Sequence, residues 1–139
     1  MQRRELLKTV GASLATAMLP ASFVRAEDDY DFYFTRLSYE SGDWNVDERA
    51  PSNIITALIE YTTLRVDRTE RVVALADPAM LTAPFCYLAG RRLVRFNHAE
   101  RRNFETYVQN GGFVFVDDCN HDIDGLFAES FEAQMAEIF

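Results

Sequence analysis

No stretch of this 139-residue sequence is long and apolar enough to lie across a bilayer. The best candidate, the weakly apolar run over residues 9–19, is rich in Ala, Thr, Ser and Gly and falls short of the about 20 mostly apolar residues that a spanning helix needs. Positive charge is scarce as well, with 14 Lys and Arg against 22 Asp and Glu. Arg3, Arg4, Lys8 and Arg25 all fall within the first 26 positions, where Glu5 is the one acid. The other 113 residues therefore carry ten arginines, scattered along the sequence, against 21 acidic residues, a net charge of −11. So acidic a body repels phosphate backbones and anionic lipid, which excludes nucleic acid as a partner. Internal repeats and low-complexity tracts are missing. Cysteine is limited to Cys86 and Cys119. The first opens one predicted strand and the second lies beyond the end of a parallel neighbour, an offset of about five residues or on the order of 16 Å. A disulfide tolerates a Cα separation of about 7 Å, so two free thiols and no bridge are expected even in an oxidising compartment.

The start of the chain holds an address. Arg3-Arg4-Glu5-Leu6-Leu7-Lys8, a mild apolar segment and Val24-Arg25-Ala26 have the anatomy of a twin-arginine export signal cut after Ala26. The positive charge at Arg25, just before the cut, and the mildness of the apolar segment distinguish it from a Sec-type signal. Residues 1–26 are thus expected to engage the twin-arginine translocase and to deliver a periplasmic protein. That route carries proteins already folded, often with a cofactor or partner inserted, which raises the weight of a bound ligand.

Residues 27–30 read as an acidic flexible leader, and 31–139 as a single α/β domain. Phe32-Tyr33-Phe34-Thr35-Arg36-Leu37 is an aromatic-rich strand followed by a turn-rich loop, Ser41-Gly42-Asp43-Trp44-Asn45-Val46-Asp47. Pro51 and Ser52 open a helix with Ile54, Ile55, Leu58 and Ile59 on one stripe. Val72-Val73-Ala74-Leu75-Ala76 reads as a strand buried on both faces, and Phe85-Cys86-Tyr87-Leu88-Ala89 as another. Asn97 and Glu100 form a capping box for a helix burying Phe104, Tyr107 and Val108, which Asn110-Gly111-Gly112 ends. Phe113-Val114-Phe115-Val116 is the most hydrophobic strand and is read as the most buried. A last helix turns Leu126, Phe127, Phe131, Met135 and Ile138 inward. Strand–helix alternation over short connections implies a mostly parallel sheet with right-handed crossovers and helices on both faces, a three-layer sandwich. The amphipathic end at Ile138 and Phe139 carries no stop signal, which reads as a domain incomplete at its C-terminus.

Asp31-Phe32-Tyr33-Phe34-Thr35-Arg36-Leu37, Gly42-Asp43-Trp44, Pro51-Ser52-Asn53, Asp77-Pro78, Asn110-Gly111-Gly112-Phe113 and Val116-Asp117-Asp118-Cys119, in that order, resemble the bacterial family called domain of unknown function 4159. The resemblance covers nearly all of the chain after the signal. It implies a flavodoxin-like architecture similar to class I glutamine amidotransferase-like domains, often exported or fused to membrane segments, and continuing past the point reached here. Some relatives occur in proteins similar to those of aerotolerance operons with MoxR-type ATPases. Amidotransferase chemistry is not implied, because Cys119 lies between Asp118 and Asn120 with no flanking glycine, and adjacent carboxylates oppose a thiolate.

Ligands of open parallel sheets bind outside the carboxyl ends of the strands. There lies Asp117-Asp118-Cys119-Asn120-His121-Asp122-Ile123-Asp124, whose carboxylates suit Mg, Ca or Mn and whose His121 and Cys119 suit Zn. The bland reading has Asp117 and Asp118 bonding loop amides, Cys119 packing and Asp124 capping the last helix. Asp43-Trp44-Asn45-Val46-Asp47 mimics the start of a calcium loop but has Glu48 where glycine is needed and Ile54 where the bidentate Glu belongs. Trp44 either covers a pocket mouth or packs; Arg36 and Tyr39 lie toward the same strand end, and His98 reads as a surface residue. The expected site is therefore Asp43, Trp44, Asp117, Asp118 and His121 in a non-catalytic module that takes a small molecule or an envelope protein. The alternatives are a metal-dependent hydrolase holding a divalent metal on Asp117, Asp118, His121 and Asp122, and an envelope assembly subunit.

Overall fold

The structure, a computed structural model, describes residues 30–120 and 125–139. Residues 1–29, which include the expected export signal, and the segment with His121, Asp122 and Asp124 lie outside the described residues. Strands and helices alternate: β1 (Thr35–Ser38), α1 (Ala50–Tyr61), β2 (Arg71–Ala74), a 3-10 helix (Pro78–Thr82), β3 (Cys86–Gly90), α2 (His98–Gln109), β4 (Val114–Asp118) and α3 (Leu126–Ile138). All strand pairs are parallel, in the order β2-β1-β3-β4. The path reverses between β1 and β3, so the loops leaving their carboxyl ends diverge and open a crevice there.

Alternation along the strands sorts the core into two layers. Phe34, Tyr87 and Ala89 pack with Ile55 and its stripe on α1, whereas Leu37, Cys86 and Leu88 pack with Phe104 and Tyr107 of α2 and Phe127 of α3. This is the three-layer α/β sandwich expected from the sequence. The capping box is present: the Asn97 side chain accepts from the Glu100 amide, and Glu100 Oε2 accepts from the Asn97 amide. Gly111, at φ +86°, supplies the left-handed turn that ends α2.

Three expectations need correction. The run over residues 72–76 gives an edge strand only as far as Ala74, not one buried on both faces; Val72 is 52% exposed. β4 is the opposite edge and leaves Phe113 and Phe115 exposed, while β3 is the strand buried throughout. Apolar content reports a preference for burial, not how many neighbours pairing supplies. Phe113 and Phe115 are instead partly covered by stacking on Phe85 and Tyr87. On α3, Leu126 faces outward and Gln134 is buried, because its Oε1 accepts from the Phe96 amide and the Arg101 guanidinium.

Cys86 stands opposite Val114 in register, and Cys119 follows β4, so the two thiols are separated along the sheet and both are free. No described helix is long and apolar enough to cross a membrane.

Two predictions follow from this packing. A Cβ at Gly90 would collide with the Tyr39 hydroxyl and the Phe127 ring, both buried, and would displace the hydrogen bond from Tyr39 Oη to the Ala89 carbonyl. Gly90→Ala should therefore cost about 1–3 kcal/mol in urea unfolding. The second concerns alkaline pH. Burial pushes the Cys86 thiol up from 9.0 to about 11, and burial followed by the Asp117 charge does the same to Cys119. Between those values the folded chain holds protons that the unfolded chain has released, so stability falls as pH rises from 9 toward 11. Tyr39, Tyr87 and Tyr107, each raised chiefly by burial, add to the decline above pH 10. Urea midpoints across this range should drop, and Cys86→Ala should flatten the slope from pH 9 upward, where the unfolded thiols titrate before the tyrosines.

Candidate functional site

The site begins with a guanidinium inside the protein. Arg36, on the α1 face of β1, is 1% exposed. Its Nε pairs with Glu70 Oε2 at 2.8 Å, and its Nη1 donates to the Val46 carbonyl at 3.0 Å and to Asn45 Oδ1 at 3.4 Å. The guanidinium carbon lies 5.9 Å from the centre of the Tyr87 ring. A buried cation needs such partners to offset its lost hydration. Their effect is to draw the loop after β1 down over the sheet, with Val46 buried beneath it.

The next residue, Asp47, takes φ +49°, a left-handed conformation that Asp adopts more readily than most side chains. It brings an exposed carboxylate to the carboxyl end of β4, where Asp117 and Cys119 share a face by strand alternation. The Tyr87 hydroxyl donates to Asp117 Oδ2 at 2.8 Å, and the Cys119 thiol points to the same oxygen at 3.6 Å. Asp47, Asp117 and Cys119 each present a donor atom within 4.8 Å of the others. With Arg91 and Asp118 they line a cavity of about 330 Å³.

Its electrostatics are dominated by carboxylates. Burial, then the charge and hydrogen bond of Asp117, pushes the Cys119 thiol up to about 11. Burial and the same Asp117 contacts raise the Tyr87 hydroxyl still further above its ordinary value. At neutral pH the thiol is therefore a protonated donor and not a nucleophile. A cation among the three donors would reverse that balance, since a thiol bound to a metal loses its proton. Two carboxylates and one thiol form a mixed set of hard and soft donors, compatible with Zn more than with Mg or Ca.

The sequence-predicted residues divide. Asp117 and Asp118 line the cavity. Among the described residues Asp43 and Trp44 do not. Asp43 Oδ1 accepts from the amides of Arg91 and Arg92 at 3.2 and 3.3 Å, lacing the loop after β1 to the loop after β3, and Trp44 packs half-buried against the core. His121 and Asp122 lie outside the described residues. Asn45 turns to Arg36 and Asp43 to backbone amides, so the oxygens of the calcium-loop mimic serve different partners. Arg36 is buried, Tyr39 is buried with its hydroxyl on the Ala89 carbonyl, and His98 is exposed. Arg91 was not foreseen; its one signal was its place directly after the glycine closing β3. Asp47 was visible only within the calcium-like spacing.

No curated protein matches the chain. The sequence pattern of the family described as Domain of unknown function (DUF4159) matches residues 33–139, the span that holds every described strand and helix. With Asp117, Asp118, Cys119 and the Asp47 loop all inside that match, the chain belongs to the DUF4159 family.

Proposed function

We propose that this domain is a non-catalytic binding module that takes a small cationic ligand in the crevice at the carboxyl ends of β3 and β4, and that it works in the periplasm after twin-arginine export and cleavage behind Ala26. The observation that carries the reading is the convergence of Asp47 with Asp117 and Cys119 from separate parts of the chain in one cavity. A carboxylate-rich recess favours positive charge, and Arg91 on its rim offers an anionic group of the ligand a partner. The raised thiol pKa argues against nucleophilic catalysis by Cys119. Localisation rests on Arg3-Arg4, the mild apolar segment and Arg25-Ala26.

A second reading, a metal-dependent hydrolase, is favoured by the donor set itself. A metal on Asp47, Asp117 and Cys119 would leave a position open for an activated water.

The two separate in one set of measurements. Thermal unfolding with Zn²⁺, Mn²⁺ or a diamine should show a ligand-dependent rise in Tm for the wild type and none for Asp47→Asn, a substitution that tolerates the left-handed backbone and touches an exposed side chain. Metal-dependent turnover of p-nitrophenyl phosphate or acetate, lost in the same variant, would replace the binding reading with the hydrolase. No shift with any of these probes would leave the cluster a purely structural role.

A further inference from the structure

Although the arginines are spread along the chain, three stand together at positions 91, 92 and 95, on the loop joining β3 to α2, and the fold turns all three outward. Arg91, Arg92, Leu93 and Arg95 point outward, Leu93 being 61% exposed, while Val94 and Phe96 are buried between them. Among the described residues the three guanidiniums have no hydrogen bond or ion pair. Arg36, Arg65, Arg71 and Arg101, by contrast, each pair with a carboxylate.

The backbone of this exposed segment is tied to its surroundings along its whole length. Six of its backbone amides donate to side-chain oxygens: Arg91 and Arg92 to Asp43 Oδ1, Val94 to Ser130 Oγ at 3.0 Å, Arg95 to Ser41 Oγ at 2.7 Å, Phe96 to Gln134 Oε1 at 3.0 Å and Asn97 to Glu100 Oε2 at 2.8 Å. Those acceptors come from the loop after β1, from α2 and from α3. A solvent-facing loop gains little stability from presenting free guanidiniums around an exposed leucine. Fixing its backbone in advance does, however, reduce the ordering entropy that association costs.

We propose that this loop docks a partner protein through an acidic segment carrying an apolar side chain, the carboxylates pairing with Arg92 and Arg95 and the apolar group covering Leu93. Arginine is enriched at protein interfaces because its planar fork pairs with carboxylates in two-point fashion and is weakly hydrated. A small anion would leave Leu93 uncovered, and a single exposed leucine offers a bilayer little apolar surface to bury. Arg92, Leu93 and Arg95 lie outside the lining of the crevice, so this docking stands or falls independently of the crevice ligand.

The test uses the whole domain and a short fluorescein-labelled peptide of Asp and Glu flanking a central Leu, read by anisotropy. Binding should weaken as salt rises and should fall about tenfold in an Arg92→Ala/Arg95→Ala variant, the scale of two exposed charge pairs. Leu93→Ala should weaken it at all salt concentrations. Both variants should unfold at the wild-type temperature, because the altered side chains face solvent. Equal peptide binding by wild type and the double variant would overturn the proposal. So would arginine-dependent recruitment to phosphatidylglycerol vesicles without peptide binding, or arginine-dependent self-association in sedimentation, which would make the occupant a lipid or a second copy.

Discussion

The burial of Arg36 is the constraint around which the carboxyl ends of the strands and their loops are arranged. A guanidinium taken out of water must be paired and fully hydrogen-bonded. Here the partners come from three places: Glu70 before β2, the backbone and side chain of the loop after β1, and the ring of Tyr87 on β3. One residue therefore ties an edge strand, a central strand and the longest carboxyl-end loop together. Val46 is held to Arg36, Asp47 follows it in a left-handed turn toward the end of β4, and the hydroxyl of Tyr87 beneath meets Asp117. The cavity is the space left between those two tethered groups.

A second lacing does for the β3–α2 loop what Arg36 does for the β1 loop. Asp43 and Ser41 reach across to the amides of Arg91, Arg92 and Arg95, and Glu100 joins the amides of Glu40 and Asn97. Side chains that look like ligands in the sequence are thus consumed in holding backbone. Residues that look incidental, the arginines after Gly90, are exposed and have no ion pair among the described residues. The division has a simple cause: a loop leaving the end of a parallel strand has unpaired amides that must be satisfied, and the nearest Asp, Ser or Glu does so.

Helix signals were legible because capping and amphipathic spacing act within a few residues. The Asn97–Glu100 box and the glycine after Asn110 set the bounds of α2 with no help from elsewhere. Strand existence was legible for the same reason, but strand placement was not. Residues 72–76 and 113–116 are apolar runs of the kind found in central strands, and both lie at edges, because the order of strands depends on contacts between residues far apart in the chain. Gln134 reads as a surface residue on an amphipathic helix and is buried because an amide from another loop needs an acceptor.

By itself the sequence determined the α/β class, the alternation of elements, the acidity of the body and the concentration of carboxylates at the carboxyl end of the last strand, all of which depend on composition and on neighbours in the chain. Only the tertiary structure decided that Asp117 and Cys119 meet Asp47 rather than Asp43, that Trp44 packs, and that the amides of the loop bearing Arg91, Arg92 and Arg95 are bonded to side chains of other elements. Those outcomes turn on which loop the buried charge of Arg36 attracts and which amides the fold leaves unsatisfied. Both are long-range balances of desolvation against hydrogen bonding, and no local pattern encodes them.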